Sequence, residues 1–128
     1  MLFPFENIGL EIKMDTTSNQ KIIVPKFKIW LSDSDGNYLL GSGGATLLSA
    51  IEKHRNLNDA SDELNISYRK AWNILNKIKK NYGKSPVVTH RGGSGGGGGM
   101  ELSETGNMLL QKIKGIRKKF ENIIDEEF

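Results

Sequence analysis

Hydrophobic positions recur every three or four residues along two long stretches of this 128-residue chain, residues 67–82 and 103–128. This spacing matches the turn of an α-helix, so both stretches predict amphipathic helices with one buried face. The side chains expected on those faces are Tyr68, Ala71, Trp72, Leu75, Ile78 and Tyr82 in the first stretch, and Leu109, Ile113, Ile116, Phe120 and Ile123 in the second.

Polar residues and a glycine indicate where these two helices begin and end. Ser67 and Ser103 are expected to cap them, because a serine oxygen accepts a hydrogen bond from an N–H group of the first turn. Gly83 suits the left-handed position that commonly follows a last turn. The second helix is expected to reach Phe128.

Two shorter helices are predicted before Ser67. The glycine-rich residues 41–44 are expected to break the chain ahead of a helix over residues 45–54. Asn58 is expected to cap a second short helix, which ends before a turn at residues 65–66.

Alternating hydrophobic and polar residues predict a β-hairpin near the start of the chain. Residues 21–31 are expected to form one strand, in which Pro25 requires an edge position or a bulge. Residues 38–40 are expected to return as the partner strand. Residues 1–20 are either a loose tail or an added strand.

A glycine run interrupted only by Ser94, residues 92–99, separates two further predicted strands, residues 87–90 and 100–102. Three interpretations are open: a phosphate-cradling loop, an inert flexible linker, or the tip of a hairpin. The match to G-x-G-x-x-G carries little information where nearly every residue is glycine, and no Lys-Ser/Thr pair follows. The flanking strands and the basic pair His90-Arg91 favour the hairpin tip, whose bare backbone can approach phosphates closely.

These elements together predict the α+β class and a winged helix-turn-helix. Short helix, tight turn, basic amphipathic helix and glycine-rich hairpin follow one another in the order that this DNA-binding fold requires. The expected segments are an extension at residues 1–20, a β-hairpin at 21–44, the winged helix-turn-helix at 45–102 and a dimerisation helix at 103–128.

Composition is compatible with this interpretation and excludes other classes. The net charge is +3 and the pI is near 9.1, which suits nucleic acid without requiring it. The absence of cysteine excludes disulfides, thiolate metal sites and cysteine catalysis. The first residues do not resemble a signal peptide, and no stretch reaches the roughly 18 apolar residues of a membrane span. A soluble, cytoplasmic protein is therefore expected.

The polar face of residues 67–82 offers the side chains that read DNA. Arginine and lysine pair with guanine, asparagine pairs with adenine, and hydroxyls bind phosphate. The alternative is a solvated helix whose lysines serve solubility, but the short helix and turn before it favour contact with DNA. The expected DNA contacts are Ser67, Tyr68, Arg69, Lys70, Asn73, Asn76 and Lys77, with His90 and Arg91 from the hairpin.

Other chemistry is poorly supported by the sequence. Residues 33–36 (DSDG) suggest a calcium loop, but the glycine falls too early and no bidentate glutamate follows, so a hairpin turn is the better interpretation. His54 and His90 lack a surrounding cluster of acids and a nearby nucleophile motif, and are interpreted as surface residues. We therefore expect that the protein is not an enzyme and that it binds neither a cofactor nor a metal.

The last helix has two interpretations. A hydrophobic stripe usually packs on the protein's own core, which would give a monomer. Here the stripe Leu109, Ile113, Ile116, Phe120 and Ile123 continues further than so small a domain can cover. The interpretation favoured is a homodimer interface, in which antiparallel pairing brings the acidic end of one helix to the basic middle of the other.

The chain resembles the amino-terminal DNA-binding domain of the molybdate-responsive regulator ModE over residues 26–116. The segments that carry the resemblance are KIWL…DGNYLLGSG, LLSAIEK, DASDELNISYRKAW, PVVTHRGGSGGGG and ELSETGNMLL. The resemblance implies a winged helix entered by a small β-hairpin, and a dimer that binds a palindromic operator.

The chain departs from that family at two points. Full-length regulators of the family continue into molybdate-binding domains, whereas this sequence stops at Phe128, so no molybdate site is expected in it. Gly44 stands where the family commonly has a basic residue. A sequence-tolerant architectural DNA binder and a protein-interaction module on the same fold remain alternative functions.

Overall fold

The computed structural model describes residues 21–91 and 98–127. The described residues form four helices and two small antiparallel sheets, which confirms the predicted α+β class. The elements, in chain order, are β1 (Leu31–Ser32), β2 (Tyr38–Leu40), α1 (Ser42–His54), α2 (Leu57–Leu64), α3 (Tyr68–Tyr82), β3 (Val87–His90), β4 (Gly99–Leu102) and α4 (Glu104–Glu127).

The chain divides into two compact units. The larger, Ile29–Gly115, contains both sheets, the first three helices and the first half of α4. The described part of the smaller unit consists of residues 21–28 and 116–127. The amino-terminal extension and residues 92–97 of the glycine run lie outside the described residues, and the four predicted segments stay a prediction.

The core of the larger unit lies where α1, α3 and α4 meet. Each helix contributes side chains that are almost fully withdrawn from solvent, and the two sheets add a smaller share. The largest of these buried side chains are Leu40, Leu47, Leu48, Ile51, Leu75, Ile78, Leu110 and Ile113. Since the buried face of α3 packs into this core, its opposite face is held towards solvent.

The predicted bounds of α3 are confirmed, but the predicted extent of its buried face is wrong at both ends. Ser67 Oγ accepts a hydrogen bond from Lys70 N at 3.0 Å, and Gly83 ends the helix with a φ of +92°. Tyr68 and Tyr82 are 50% and 39% exposed, although they continue the apolar spacing. The core covers the middle of this helix, so its terminal side chains extend beyond it.

Helices α1 and α2 both begin earlier than predicted. Ser42, Gly43 and Gly44 form the first turn of α1 and do not break the chain. A Cβ at Gly44 would lie 2.8 Å from the Cβ of Leu40, four residues earlier, so glycine allows the first turn of the helix to pack there. In α2 the cap is Asn56, whose side chain accepts from Asp59 N at 2.7 Å, and the predicted cap Asn58 is wrong.

The strand predicted over residues 21–31 is also wrong except at its end. Only Leu31–Ser32 pairs with Tyr38–Leu40, because the partner strand is three residues long and Pro25 has no N–H to donate. The connecting residues form the predicted turn, in which Asp33 Oδ1 accepts from the backbone N–H of Asn37 at 2.9 Å. In the described part of the chain, no group of three or more His, Asp or Glu residues is placed to hold a metal ion.

Strands β3 and β4 pair as predicted, with Val87 opposite Leu102 and His90 opposite Gly99. One backbone bond anchors the hairpin to the residue after α1, and a second closes the base of the hairpin. Met100 N donates to Arg55 O at 2.9 Å, and Ser103 N donates to Pro86 O at the same distance. Among the described helices, none is long and apolar enough to cross a membrane.

Candidate nucleic-acid interface

The exposed face of α3 carries a continuous basic and amide strip. The helix contains five basic residues and no acidic residue. Arg69, Asn73 and Asn76 follow one another at spacings of four and three, so they lie along one side of the helix, and all three are exposed. Along this strip, the guanidinium of Arg69 and the carboxamides of Asn73 and Asn76 face solvent in a row.

Lys80 is a member of the strip that sequence reasoning missed. It stands four residues after Asn76 and is exposed, so it extends the strip by one turn. The spacing that identified Arg69 and Asn73 would have identified Lys80 as well. The other predicted contacts on this segment, Ser67, Tyr68, Lys70 and Lys77, are all exposed too.

A tight turn between α2 and α3 fixes the direction of α3. Asn65 adopts a left-handed conformation with a φ of +55°, and its N–H donates to Asp62 O at 3.1 Å. Ile66 N donates to Ser61 O at 3.1 Å. These bonds provide partners for carbonyl oxygens in the last turn of α2, and they place Ser67 directly at the start of the next helix.

The β3–β4 hairpin presents the predicted residues His90 and Arg91 at its exposed end. His90 Nε2 lies 3.2 Å from Glu101 Oε1 on the opposite strand. Arg55 Nη2 lies 3.9 Å from the other oxygen of the same carboxylate. Glu101 therefore places a negative charge between two basic groups, a feature that sequence reasoning missed because it depends on strand register.

A cleft of about 450 Å³ opens between α2, α3 and the hairpin. Tyr68 contributes its exposed ring, which meets Trp72 edge to face with centroids 6.3 Å apart. Tyr68 and His90, predicted from separate parts of the sequence, line this one cleft. Among the described residues, the lining consists of Asn56, Leu57, Asn58, Asp59, Tyr68, Trp72, Thr89, His90, Gly98, Gly99 and Met100.

Lys77 contacts a residue that sequence reasoning did not consider. Its Nζ lies 5.3 Å from the ring centroid of Tyr38, which is within the range of a cation–π interaction. One turn further on, Asn81 Nδ2 donates to the carbonyl oxygen of Tyr38 at 2.6 Å. Strand β2 is thereby attached to the carboxy-terminal half of α3.

His54 and Lys53, at the end of α1, both contact Glu63 of α2. His54 Nε2 and Lys53 Nζ each lie 2.8 Å from Glu63 Oε1. Hydrogen bonds from Lys53 and then from His54 lower the pKa of the Glu63 carboxyl below its ordinary value. These contacts link α1 to α2, and their residues lie outside the set predicted to contact DNA.

The predicted dimer stripe divides between the two units. Leu109 and Ile113 are 2% and 0% exposed within the core of the larger unit. In the smaller unit, Ile116, Phe120 and Ile123 are 38%, 45% and 52% exposed. The ring of Phe120 stacks on Phe27, which the sequence did not identify, with centroids 5.7 Å apart. The exposed part of the stripe is therefore its second half.

Comparison with known proteins relates the chain to a ModE protein. No family model matches the chain. The chain is 26% identical over 93 residues to the molybdenum transport protein ModE of Azotobacter vinelandii, a match that covers 73% of this chain. It spans about a third (34%) of the length of that protein. The similarity thus extends over most of this chain and over a minor part of its relative.

Proposed function

We propose that this protein is a transcriptional regulator that binds double-stranded DNA as a homodimer through a winged helix-turn-helix. In this proposal α3 enters the major groove as the recognition helix, and the β3–β4 hairpin is the wing that contacts the sugar–phosphate backbone. The observation that carries the proposal is the exposed strip of Arg69, Asn73 and Asn76 on a helix without acidic residues.

The chemistry of that strip supports base readout. Arginine donates two parallel hydrogen bonds to O6 and N7 of guanine, and asparagine donates to N7 and accepts from N6–H of adenine. Lys80 ends the strip, and Lys70 and Lys77 lie beside it, so all three are suited to neighbouring phosphates. In protein–DNA interfaces some side chains read bases and others bind phosphates, and this helix presents side chains of both kinds.

The hairpin supports the wing assignment. β3 and β4 pair up to His90 and Gly99, so the glycine run connects two strands that are already held together. His90 and Arg91 add basic groups beside a backbone that has few side chains to obstruct its approach to phosphates.

The similarity to ModE supports the same function. The segments that resemble the DNA-binding domain of that family include the α2–turn–α3 region and both strands of the hairpin. The match spans only a third of the relative (34%), so the proposal leaves out molybdate sensing and rests on the DNA-binding part alone.

The homodimer in this proposal forms through Ile116, Phe120 and Ile123 on the second half of α4. Basic residues occupy the middle of this helix and acidic residues its end, so an antiparallel partner would bring opposite charges together. A dimer that binds a palindromic site places its two recognition helices about one turn of DNA apart, roughly 34 Å, and we propose the same spacing here.

Selection of bound sequences from a pool of random duplexes tests this function. We expect enrichment of a palindromic site that binds at least about 10³-fold more tightly than random duplex, with affinity falling steeply as salt rises. Salt-dependent binding with no preferred sequence would favour an architectural DNA binder. Absence of salt-dependent binding to any duplex would favour a protein-interaction module.

A further inference from the structure

Tyr38 occupies an exposed position next to the proposed DNA-binding face. It lies in β2 and is 42% exposed, although it is a large aromatic residue. The Lys77 ammonium lies over its ring, 5.3 Å from the centroid. Any nucleic-acid strand that Lys77 reaches therefore passes close to the phenol of Tyr38.

Two features locate Tyr38, one at its backbone and one beside its hydroxyl. Asn81 Nδ2 holds the carbonyl oxygen of Tyr38 at 2.6 Å, which ties β2 to α3. At the other end of the ring, a Cβ added to Gly41 would lie 2.6 Å from the Tyr38 hydroxyl oxygen. Gly41 thus leaves the space that the hydroxyl occupies, while the residue as a whole stays 42% exposed.

We propose that Tyr38 and Lys77 form a second backbone contact, which binds a phosphate of the DNA that flanks the bases read by α3. The phenol hydroxyl donates a hydrogen bond to a phosphate oxygen, and the lysine ammonium supplies charge on the same strand. This inference rests on the proposed function. Asn81 is a positioning residue, which acts on DNA only through Tyr38.

The spacing of DNA charges makes this pairing geometrically reasonable. One strand carries a phosphate for about every 3.4 Å of helix axis, so adjacent donors on a protein surface can share one phosphate or bind successive ones. Tyrosine hydroxyls and lysines are both among the usual phosphate donors. Because such contacts are made to the backbone, their effect is the same for every base sequence.

Tyr38→Phe and Tyr82→Phe form a matched pair for the test. Each removes one hydroxyl from a tyrosine of similar exposure, 42% and 39%, and Tyr82 has no role in the proposed contacts. Affinity for duplex DNA is measured by fluorescence anisotropy over a range of salt concentrations. We expect Tyr38→Phe to weaken binding about fivefold on both selected and random duplexes, with no change in salt slope, since a neutral donor is lost. Tyr82→Phe should bind like wild type.

Lys77→Ala and Asn81→Ala complete the set. Loss of Lys77 should reduce the salt slope by about one unit, because one phosphate contact is removed. Asn81→Ala should reproduce the loss of Tyr38→Phe, and the double variant should lose no more than either single one. Trimming the selected duplex to its read bases should abolish the difference between wild type and Tyr38→Phe.

The inference is overturned if wild type binds DNA and Tyr38→Phe binds equally well, or if both phenylalanine variants weaken binding to the same degree. Additive losses for the Tyr38→Phe and Asn81→Ala changes would overturn the positioning role of Asn81. A wild-type chain that binds no duplex would overturn the proposed function and this inference with it.

Discussion

Glu101 Oε1 lies 3.2 Å from His90 Nε2 across the β3–β4 hairpin, at the edge of the proposed wing. A carboxylate at this position repels DNA phosphates and occupies the imidazole that would otherwise face them. The Glu101 side chain is 48% exposed, so the pair is accessible to an incoming strand. The proposed wing therefore holds a basic side chain next to a negative charge.

We predict that Glu101→Gln strengthens DNA binding about three- to tenfold at low salt, because one negative charge is removed from the interface. Glu52→Gln, which makes the same charge change at an exposed position of α1, should have little effect. Anisotropy titrations of both variants measure the difference. Weaker binding by Glu101→Gln would show that the carboxylate supports the wing.

Two glycines of α4 should respond in opposite ways to alanine. A Cβ at Gly106 would collide with the carbonyl oxygen of Pro86, whereas nothing lies within 4 Å of a Cβ at Gly115. We expect Gly106→Ala to destabilise the fold by about 1–3 kcal/mol through overpacking. Gly115→Ala should stabilise it by up to about 1 kcal/mol through helix propensity. Urea denaturation of both variants gives the two values, and equal effects would contradict the close approach at Gly106.

The turn that leads into β2 should lose stability in acid. Hydrogen bonds to Asp33, first from the Asn37 side chain and then from the Asn37 backbone, lower the pKa of its carboxyl below the ordinary 3.8. The unfolded chain therefore takes up the proton first as pH falls. The stabilisation by Asp33 is complete well above pH 3.8 and disappears as pH falls through the lowered pKa.

This pH dependence is measured by comparing wild type with Asp33→Asn. The variant should melt at a lower temperature than wild type at pH 7, and the gap should narrow below about pH 4. Asp35→Asn makes the same charge change in the same turn and serves as the control. A gap that is constant with pH would mean that the carboxylate charge of Asp33 does not stabilise the turn.

The dimer is tested by placing charges on the exposed half of the stripe. Sedimentation should show a wild-type dimer, and Ile116→Glu combined with Phe120→Glu should give a monomer, because two carboxylates cannot be buried unpaired in an interface. Asn107→Glu, at an exposed position of α4 in the larger unit, should leave the dimer intact. A wild-type monomer, or a dimer that both charges leave unchanged, would contradict the proposal.

Local signals predicted α3 and the hairpin well. Helix α3 is defined by its cap Ser67, its terminal glycine Gly83 and its apolar period. Each of these signals depends on residues a few positions apart, so the sequence alone is enough to predict the helix. The pairing of Val87 with Leu102 agreed with two short apolar runs on either side of a glycine run.

What sequence reasoning missed depends on contacts between distant residues. The alternation in residues 21–30 is that of a strand, but a strand needs a partner, and β2 is too short to supply one. Periodicity groups Leu109 with Phe120, but only tertiary structure separates a core position from an exposed one. Tyr38 is held next to the candidate site because its carbonyl oxygen accepts a hydrogen bond from Asn81, which lies 43 residues away in sequence.

The most direct test of the account is the affinity of Arg69→Ala for the selected duplex and for random duplex, measured side by side. If Arg69 pairs with guanine, the variant should lose about 1–3 kcal/mol on the selected site and much less on random sequence. Lys80→Ala, at the end of the same strip, should instead weaken binding to both duplexes by a similar factor. An equal loss on both duplexes for Arg69→Ala would contradict the claim that α3 reads bases in the major groove.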